Sequence, residues 1–314
     1  MKKLLHTILI TLLLSNISPL MTQAADTAVR PPVFGVSPFR VDIDFKPNQK
    51  TYEGVIKVSN RDSGDINMIA YAQDFRPSGG EGQIEYIQDA DPEISTSSWF
   101  QITPKEFILH NNETKEISYT ISLPSTPEPG GHYAAIFIQN KPAQGSGATV
   151  SGRIAVNFFI TIPGNITLKN TIQEFSQTKQ QDGSYQFNIL VQNDGNGHTK
   201  PSGTLTITDW WNNTVTEIPI NPVENGTGYQ LSVLPHSSRY LHATWTPKGE
   251  LFGRYTATVN LSYGGPEKIT STLTITSFPL GTILMVVSIV IVLLLLIFLF
   301  GPRFKKAFQA FLKG

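Results

Sequence analysis

The sequence predicts an all-β protein of two tandem β-sandwich domains followed by one C-terminal transmembrane α-helix. Three observations lead to this prediction: apolar and polar residues alternate over long stretches, one strand pattern occurs twice, and an uncharged apolar run lies near the C-terminus. The chain has 314 residues, which is enough for two domains of ordinary size. It contains no cysteine, so disulfides, thiolate metal sites and thiol nucleophiles are excluded.

The N-terminus has the order of a secretory signal peptide. Two lysines precede a mostly apolar run from Leu4 to Met21, and small residues follow. This order predicts a signal peptide over residues 1–25, cleaved after Ala24 or Ala25. An uncleaved anchor is the alternative, but polar residues and a proline interrupt the run and weaken it as a spanning helix.

Strand alternation dominates the region between residues 31 and 277. Gly, Pro, Asn or Asp residues interrupt the alternating pattern at short intervals, as expected for an antiparallel sandwich. Three segments alternate most strongly: Ile117–Leu123, Ile154–Ile162 and Tyr255–Tyr263. Each is expected to have one core face and one solvated face.

An internal repeat divides this region into two domains. Two sets of residues share the same spacing and lead into a turn: Tyr52, Ile56, Val58 and Asn60, and then Tyr185, Ile189, Val191 and Asn193. Further along, Gly131, Tyr133 and Ala135 match Gly253, Tyr255 and Ala257. The asparagine is expected to close the turn through its side chain. Chance similarity between short β patterns is the alternative explanation.

The repeat predicts a first sandwich over residues 31–164 and a second over 165–277. The segment Pro142–Gly152 is rich in Ala, Gly and Ser and could be a linker. Because strongly alternating segments lie on both sides of it, we interpret it as a long hairpin loop inside the first domain.

A transmembrane helix is predicted over residues 278–300. From Leu280 to Phe300 no residue is charged, and 21 residues at about 1.5 Å each span about 30 Å, the thickness of the bilayer hydrocarbon. A buried core helix is the alternative, but this run is apolar on every face.

The tail of residues 301–314 is basic. Arg303, Lys305 and Lys306 lie in it and no acid does, so the positive-inside tendency places the tail in the cytoplasm. The chain is therefore expected to be a single-pass protein of the cell membrane, with the lipid bilayer as one partner and the N-terminal ectodomain outside.

The charge balance argues against nucleic-acid binding. The whole chain has 24 basic and 24 acidic residues. Once the signal peptide and the tail are set aside, 18 basic and all 24 acidic residues remain, so the ectodomain carries a net charge of about −6. A basic surface for nucleic acid is not expected.

No motif of catalysis is present, so the chain is expected not to be an enzyme and to use no cofactor or metal. The histidines have no metal-ligand spacing, and neither a nucleophile elbow nor a phosphate-binding loop occurs. The carboxylates between Glu81 and Glu93 could form a calcium loop, but their spacing favours a solvated acidic loop.

Three aromatic residues are candidates for contacting a partner. Trp210 and Trp211 are adjacent, so on a strand one would face the core and the other solvent, where it could stack on a sugar or anchor a protein. The alternative is that they cover the end of the sandwich. Phe158 lies in Arg153–Ile162, a strand that could pair with a partner strand if it lies at a sheet edge.

The first domain resembles two immunoglobulin-like families. The residues that carry the resemblance are Val36-Ser37-Pro38, Tyr52–Asn60, Trp99–Pro104 and Phe107–Leu123. In its whole architecture the chain resembles the WxL-interacting surface proteins of Gram-positive-type bacteria, which have a signal peptide, two immunoglobulin-like domains and a C-terminal helix. The first domain is also similar to periplasmic pilus chaperones, which lack a transmembrane helix.

The first resemblance implies a membrane-anchored extracellular binding or structural protein of the cell envelope. Its ligand would be a cell-wall polymer or a surface protein, since the family's domains are associated with peptidoglycan and with partner binding. The second resemblance implies an anchored assembly chaperone that pairs a strand with its client. A passive stalk without a ligand is a third possibility.

Overall fold

The computed structural model describes residues 33–88, 91, 95–141, 151–223, 229–265 and 267–311. Within these ranges the chain is mostly β-strand, with one long C-terminal α-helix, and the strands form two sandwiches in tandem. The predicted fold class is confirmed. The predicted signal peptide lies outside the described residues.

In its described residues the first domain has ten strands in two sheets. One sheet has the order β1-β3-β8-β6, and the other has β2-β10-β9-β4-β5 with β7 also paired to β4. Alternate side chains of both sheets meet in one core that includes Ile56, Ile117 and Phe158. The strands are β1 (Phe34–Ser37), β2 (Arg40–Asp44), β3 (Thr51–Asn60), β4 (Ile66–Ser78), β5 (Gln83–Ile87), β6 (Phe100–Thr103), β7 (Glu106–Leu109), β8 (Thr114–Ser122), β9 (Gly130–Asn140) and β10 (Arg153–Ile162).

The described part of the second domain has seven strands. A sheet of order β11-β12-β15 packs on a sheet of order β14-β13-β16-β17 around a separate core that includes Phe187, Ile189 and Trp245. The strands are β11 (Asn170–Lys179), β12 (Tyr185–Asn193), β13 (Ser202–Thr208), β14 (Thr214–Ile220), β15 (Ser237–Trp245), β16 (Gly253–Ser262) and β17 (Ile269–Ser277).

Seven strands of the first domain follow the same order as the seven described strands of the second, which confirms the internal repeat; β2, β6 and β7 have no counterpart among them. In the first domain β1-β3-β8 packs on β10-β9-β4-β5, and in the second β11-β12-β15 packs on β17-β16-β13-β14. The two copies of the tyrosine-to-asparagine pattern lie on β3 and β12, and the two glycine-tyrosine-alanine copies lie on β9 and β16. These strands occupy equivalent places.

The repeated asparagines make the same contacts in both domains. The side-chain amide of Asn60 donates to the carbonyl oxygen four residues ahead at 2.8 Å and to that of Leu109 at 3.0 Å. Asn193 donates to the carbonyl oxygen four residues ahead at 2.8 Å and to that of Val233 at 3.0 Å. Each side-chain oxygen accepts from the N–H two residues ahead. The expectation that asparagine closes the turn is confirmed.

The hairpin between β9 and β10 is also confirmed. Ten residue pairs join the two strands in antiparallel register, from Arg153 opposite Gln139 to Ile162 opposite Gly130. Of the connecting loop predicted over Pro142–Gly152, residues 142–150 lie outside the described residues.

Two residues separate the end of β17 from the C-terminal helix α1 (Leu280–Phe311). Its segment Ile283–Gly301 has a mean hydropathy of 3.6, is 0% buried, and is long and apolar enough to cross a membrane. The alternative of a buried core helix does not fit this exposure. The helix continues beyond Phe300 as far as Phe311, into the segment predicted to form the tail.

Candidate partner-binding surfaces

Phe158 lies in the core of the first domain. Its ring is 0% exposed and packs edge-on against Phe100 at 4.9 Å and Tyr119 at 5.0 Å between centroids. A ring in this position cannot contact a partner of the folded chain, so the expectation for Phe158 is corrected. Because side chains alternate along a strand, the neighbouring Phe159 points to the outer face of the sheet, toward the second domain.

Arg40 on β2 connects the two domains. Its guanidinium lies 3.8 Å from the centre of the Phe159 ring and donates to the hydroxyl of Ser232 in the second domain at 2.7 Å. It also donates to both carboxylate oxygens of Asp42, at 2.7 and 2.9 Å. Because Arg40 and Asp42 are two residues apart on one strand, both side chains lie on the face that meets the second domain.

The carboxylate of Asp42 also lies close to a lysine and a histidine of the second domain. Lys200 Nζ is 3.1 Å and His198 Nε2 is 4.0 Å from the carboxylate. Burial raises the pKa of Asp42, but Arg40 and Lys200 outweigh it and hold the pKa below its usual value. Burial lowers the pKa of His198 to about 4, so its imidazole is neutral at pH 7. The His198 ring packs edge-on against Phe159 at 5.7 Å.

Apolar and main-chain contacts complete the junction between the domains. Leu234 of the second domain is buried in one cluster with Phe75, Ala135 and Phe137 on the outer face of the first domain's larger sheet. Two main-chain hydrogen bonds of 2.8 Å also cross it, from the N–H of Tyr240 to the oxygen of Gly80 and from the N–H of Gly131 to the oxygen of Asn196. The junction is therefore a packed interface.

A cleft of about 180 Å³ lies at the junction beside Arg40 and Arg239. Arg239 Nη1 donates to the oxygen of Ser232 at 3.0 Å, whereas its Nε is buried without an acceptor among the described residues. Burial lowers the pKa of Arg239, and the neighbouring Arg40 lowers it further. Two guanidiniums at one cleft are suited to a small anionic group such as a carboxylate.

One edge of strand β10 is paired along its whole length, whereas the other edge is paired along only part of it. It pairs with β9 from Arg153 to Ile162 but with β2 only from Asn157 to Thr161, in parallel register. We call the segment Arg153–Val156 the open half of β10. Within the described ranges no strand pairs with its outer side. An open edge of this kind can accept an added strand.

Backbone directions show which groups the open half presents. The N–H of Asn157 donates to the oxygen of Phe39 toward β2, and the oxygen of Thr161 accepts from Phe45 on the same side. Since backbone groups of alternate residues in a strand point to the same side, those of Arg153 and Ala155 point to the open side. Among the described residues no group pairs with these two N–H donors and two carbonyl acceptors, so they can pair with a partner strand.

Trp210 and Trp211 do not lie on a strand. They are in the turn between β13 and β14, and both are exposed, at 52% and 72%. The expectation that one of the two is buried is corrected, because a turn does not impose the two-sided alternation of a strand. They lie in the second domain at the end opposite the junction, and their contacts are described below.

The remaining predicted site residues belong to the membrane anchor. Leu280 and Phe300 both lie in α1, at its first residue and near the end of the apolar segment. Arg303, Lys305 and Lys306 follow in the same helix, but their side chains lie outside the described ones. Within the described part of the chain, no three metal-ligating side chains come together.

Comparisons with known proteins give similarity of fold but no family. No family model and no curated protein matches the chain. Among solved structures, a chaperone–tip adhesin complex of CFA/I fimbriae biogenesis is 12% identical, covering 76% of this chain and 98% of that one, with a TM-score of 0.40. The E. coli chaperone DraB is 13% identical, with coverage of 77% and 99% and a TM-score of 0.37.

A third solved structure is the CsuC–CsuE chaperone–tip adhesion subunit pre-assembly complex of Acinetobacter baumannii Csu pili. It is 12% identical, with coverage of 79% and 100% and a TM-score of 0.36. The resemblance to pilus-chaperone sandwiches thus recurs among solved structures, and the resemblance to WxL-interacting proteins stays a prediction. Similarity at this level carries no conclusion about function.

The sequence-based candidates missed the residues of the junction and two aromatic neighbours of Trp210. A usable signal existed for the junction, since Arg40 and Asp42 are opposite charges two residues apart on a strand and must share a face. Phe252 and Phe278 gave no comparable signal, because neither belongs to an alternating apolar pattern or to a recognised motif in the sequence.

Proposed function

We propose that this chain is a single-pass envelope protein whose ectodomain, outside the membrane, binds a protein partner by adding a strand of that partner to the open half of β10. The observation that carries the proposal is the half-covered strand: β2 stops pairing at Asn157, while β9 continues pairing to Arg153. Main-chain hydrogen bonds would give affinity, and neighbouring side chains would give specificity.

The surroundings of the open half suit an extended apolar segment. Ile154 and Phe34 are half-buried and pack against the core of the first domain. Phe34 also lies 3.8 Å from the position that a Cβ on Gly152 would occupy. On the outer face, Arg153 lies 4.7 Å from the centre of the Phe137 ring. A partner strand would therefore meet apolar side chains on one face and a cation on the other.

Membrane anchoring is the second part of the proposal. The apolar segment of α1 is long enough to span a bilayer. The cations Arg303, Lys305 and Lys306 support the proposal of a cytoplasmic C-terminal end, in which case both sandwiches would lie outside. An adaptor would keep its partner, whereas an assembly chaperone would release it, and both would use the same strand pairing.

The test replaces Ala155 with proline. Its N–H points away from β9, so Ala155→Pro removes an outward donor and adds bulk at the edge while leaving the β9 ladder intact. Ala155→Ser is the matched control, because it keeps the N–H. A photo-reactive residue at position 153 on intact cells captures the partner for identification.

Strand addition predicts that Ala155→Pro abolishes cross-linking and that Ala155→Ser does not. It also predicts that the partner slows amide hydrogen exchange at Ala155 in the native chain. Unchanged cross-linking of the proline variant, or recovery of wall polymer in place of protein, would count against the proposal.

A further inference from the structure

The end of the second domain that leads into α1 carries four exposed aromatic side chains. Trp210 is 52%, Trp211 72%, Phe252 50% and Phe278 50% exposed. We call these four residues the aromatic cluster. An exposed group of large aromatic rings is unusual for a soluble surface and indicates a contact with something other than water.

Strand pairing places the cluster at this one end. Thr208, the last residue of β13, pairs with Thr256 near the start of β16, and Gly253 pairs with Ser277, the last residue of β17. The turn after β13, the loop before β16 and the exit from β17 are therefore neighbours. The chain enters α1 from the same end.

The four rings form a continuous row. Phe278 packs edge-on against Phe252 at 5.4 Å, Phe252 against Trp210 at 6.4 Å, and Trp210 against Trp211 at 4.7 Å between centroids. The Trp210 ring also lies 3.3 Å from where a Cβ on Gly253 would be. The row begins two residues before the helix and runs outward across the end of the domain.

The turn that presents the two tryptophans is held by Asp209. Its carboxylate accepts from the N–H of Trp211 at 3.0 Å and from the N–H and side-chain amide of Asn213 at 2.8 and 3.1 Å. Asn212 has a φ of 66° and donates its N–H to the oxygen of Asp209 at 3.0 Å. These contacts fix the turn without burying either indole.

We propose that the aromatic cluster inserts into the headgroup layer of the membrane leaflet that faces the ectodomain and docks the second domain on the bilayer. The headgroup layer is about 5–7 Å thick on each side. One residue, Pro279, lies between Phe278 and Leu280, so their Cα atoms are at most about 7 Å apart. Phe278 therefore lies at the height of this layer when α1 spans the hydrocarbon. The inference rests on the proposed membrane anchoring.

The chemistry of the four rings fits this layer. Tryptophan favours the membrane interface because its ring is apolar while its N–H can bond to water or a lipid headgroup. Continuity with the spanning helix selects lipid over other occupants, since the row of contacts starts at Phe278, next to α1. Docking would fix the tilt of the ectodomain relative to the bilayer, because one spanning helix alone does not determine that tilt.

The test uses the full chain in phosphatidylcholine vesicles with acyl chains brominated near the headgroup, which quench nearby tryptophans. The chain has four tryptophans, and of the other two Trp245 is buried and Trp99 is partly buried in the first domain. We expect the brominated lipid to cause a loss of emission in the native chain. The variant W210F/W211F should show almost none of this loss.

A second variant tests the docking itself. Trp211→Asp places a charge at the position proposed to insert into the headgroup layer. Because the Trp211 side chain is highly exposed, the substitution is expected to leave the fold intact. We expect the brominated lipid to lose most of its effect on Trp210, and a water-soluble quencher such as acrylamide to gain access to it. Unchanged thermal unfolding of the variant confirms that the fold is intact.

Flotation of the vesicles separates this inference from the anchoring on which it rests. If the chain fails to float with vesicles, the anchoring is wrong. If it floats, but native and W210F/W211F chains are quenched equally, the docking is overturned. A blue shift of tryptophan emission with peptidoglycan fragments, and none with lipid, would identify the cluster as a sugar-binding surface and would also overturn the membrane docking.

Discussion

The two ends of the second sandwich use similar side chains in opposite ways. At the junction with the first domain, Phe159 and Leu234 are packed by protein, and the charges of Arg40 and Asp42 are paired. At the other end, the rings of the aromatic cluster touch one another and are half or more exposed. Large aromatic rings are thus covered by protein at the junction end and exposed at the other end, within the part of the chain that the structure describes.

The largest expected effect comes from matched phenylalanine truncations at the two ends. Phe159→Ala leaves a cavity beside Arg40 and His198, and we expect the free energy of unfolding to fall by about 3 kcal/mol. Phe252→Ala removes a ring that is already half exposed, so we expect a change below about 1 kcal/mol. Urea unfolding of an ectodomain ending at Ser277 measures both. Equal losses would contradict the contrast.

The second prediction is that acid weakens the junction end through His198. Burial lowers its pKa in the folded chain to about 4 from 6.5, so between these values only the unfolded chain binds the proton. The stability that neutral His198 contributes is fully present above pH 6.5 and is lost as the pH falls from 6.5 to 4. The loss is about 1.4 kcal/mol per pH unit at its steepest and about 3 kcal/mol in total.

Urea unfolding at several pH values between 7 and 4 checks this dependence, with His198→Gln as the control that cannot titrate. We expect the variant to lose much less stability across that range than the native ectodomain. Parallel curves for the two proteins would show that other groups cause the acid sensitivity.

The smallest of the three effects is expected for a matched pair of asparagines. Asn193→Ala removes two donors and an acceptor from a buried turn next to the junction, and we expect a loss of about 2 kcal/mol. Asn213→Ala removes one exposed side-chain hydrogen bond to Asp209, and we expect a loss of about 0.5 kcal/mol. Thermal unfolding with the heat of unfolding measured gives both values. Similar losses would remove the distinction between the two turns.

Local features of the fold could be predicted from the sequence because they depend on local periodicity. Alternation gives strands and their two faces. Asn60 and Asn193 mark equivalent turns because two of the three side-chain hydrogen bonds that each makes are local, to groups two and four residues ahead in the chain. The apolar helix follows from its length and composition alone.

Pairing between distant segments could not be predicted in the same way. A period of two residues does not say which strand lies beside β10, so the partial cover by β2 and the junction contacts of Arg40 needed the structure. The error at Phe158 was avoidable, since the alternation Ile154, Val156, Phe158 and Ile160 already places this ring with core residues. Trp210 and Trp211 were misplaced because the turn that contains them was taken for a strand.

The short connection between β17 and α1 limits how far the protein can reach. Nine strand residues extend about 30 Å, so two sandwiches placed end to end hold the open half of β10 no more than roughly 60 Å from the lipid. No flexible stalk extends this distance, since only Phe278 and Pro279 separate the last strand from the helix. If the helix spans a membrane as proposed, a partner of the open half of β10 would be bound within this distance of the bilayer.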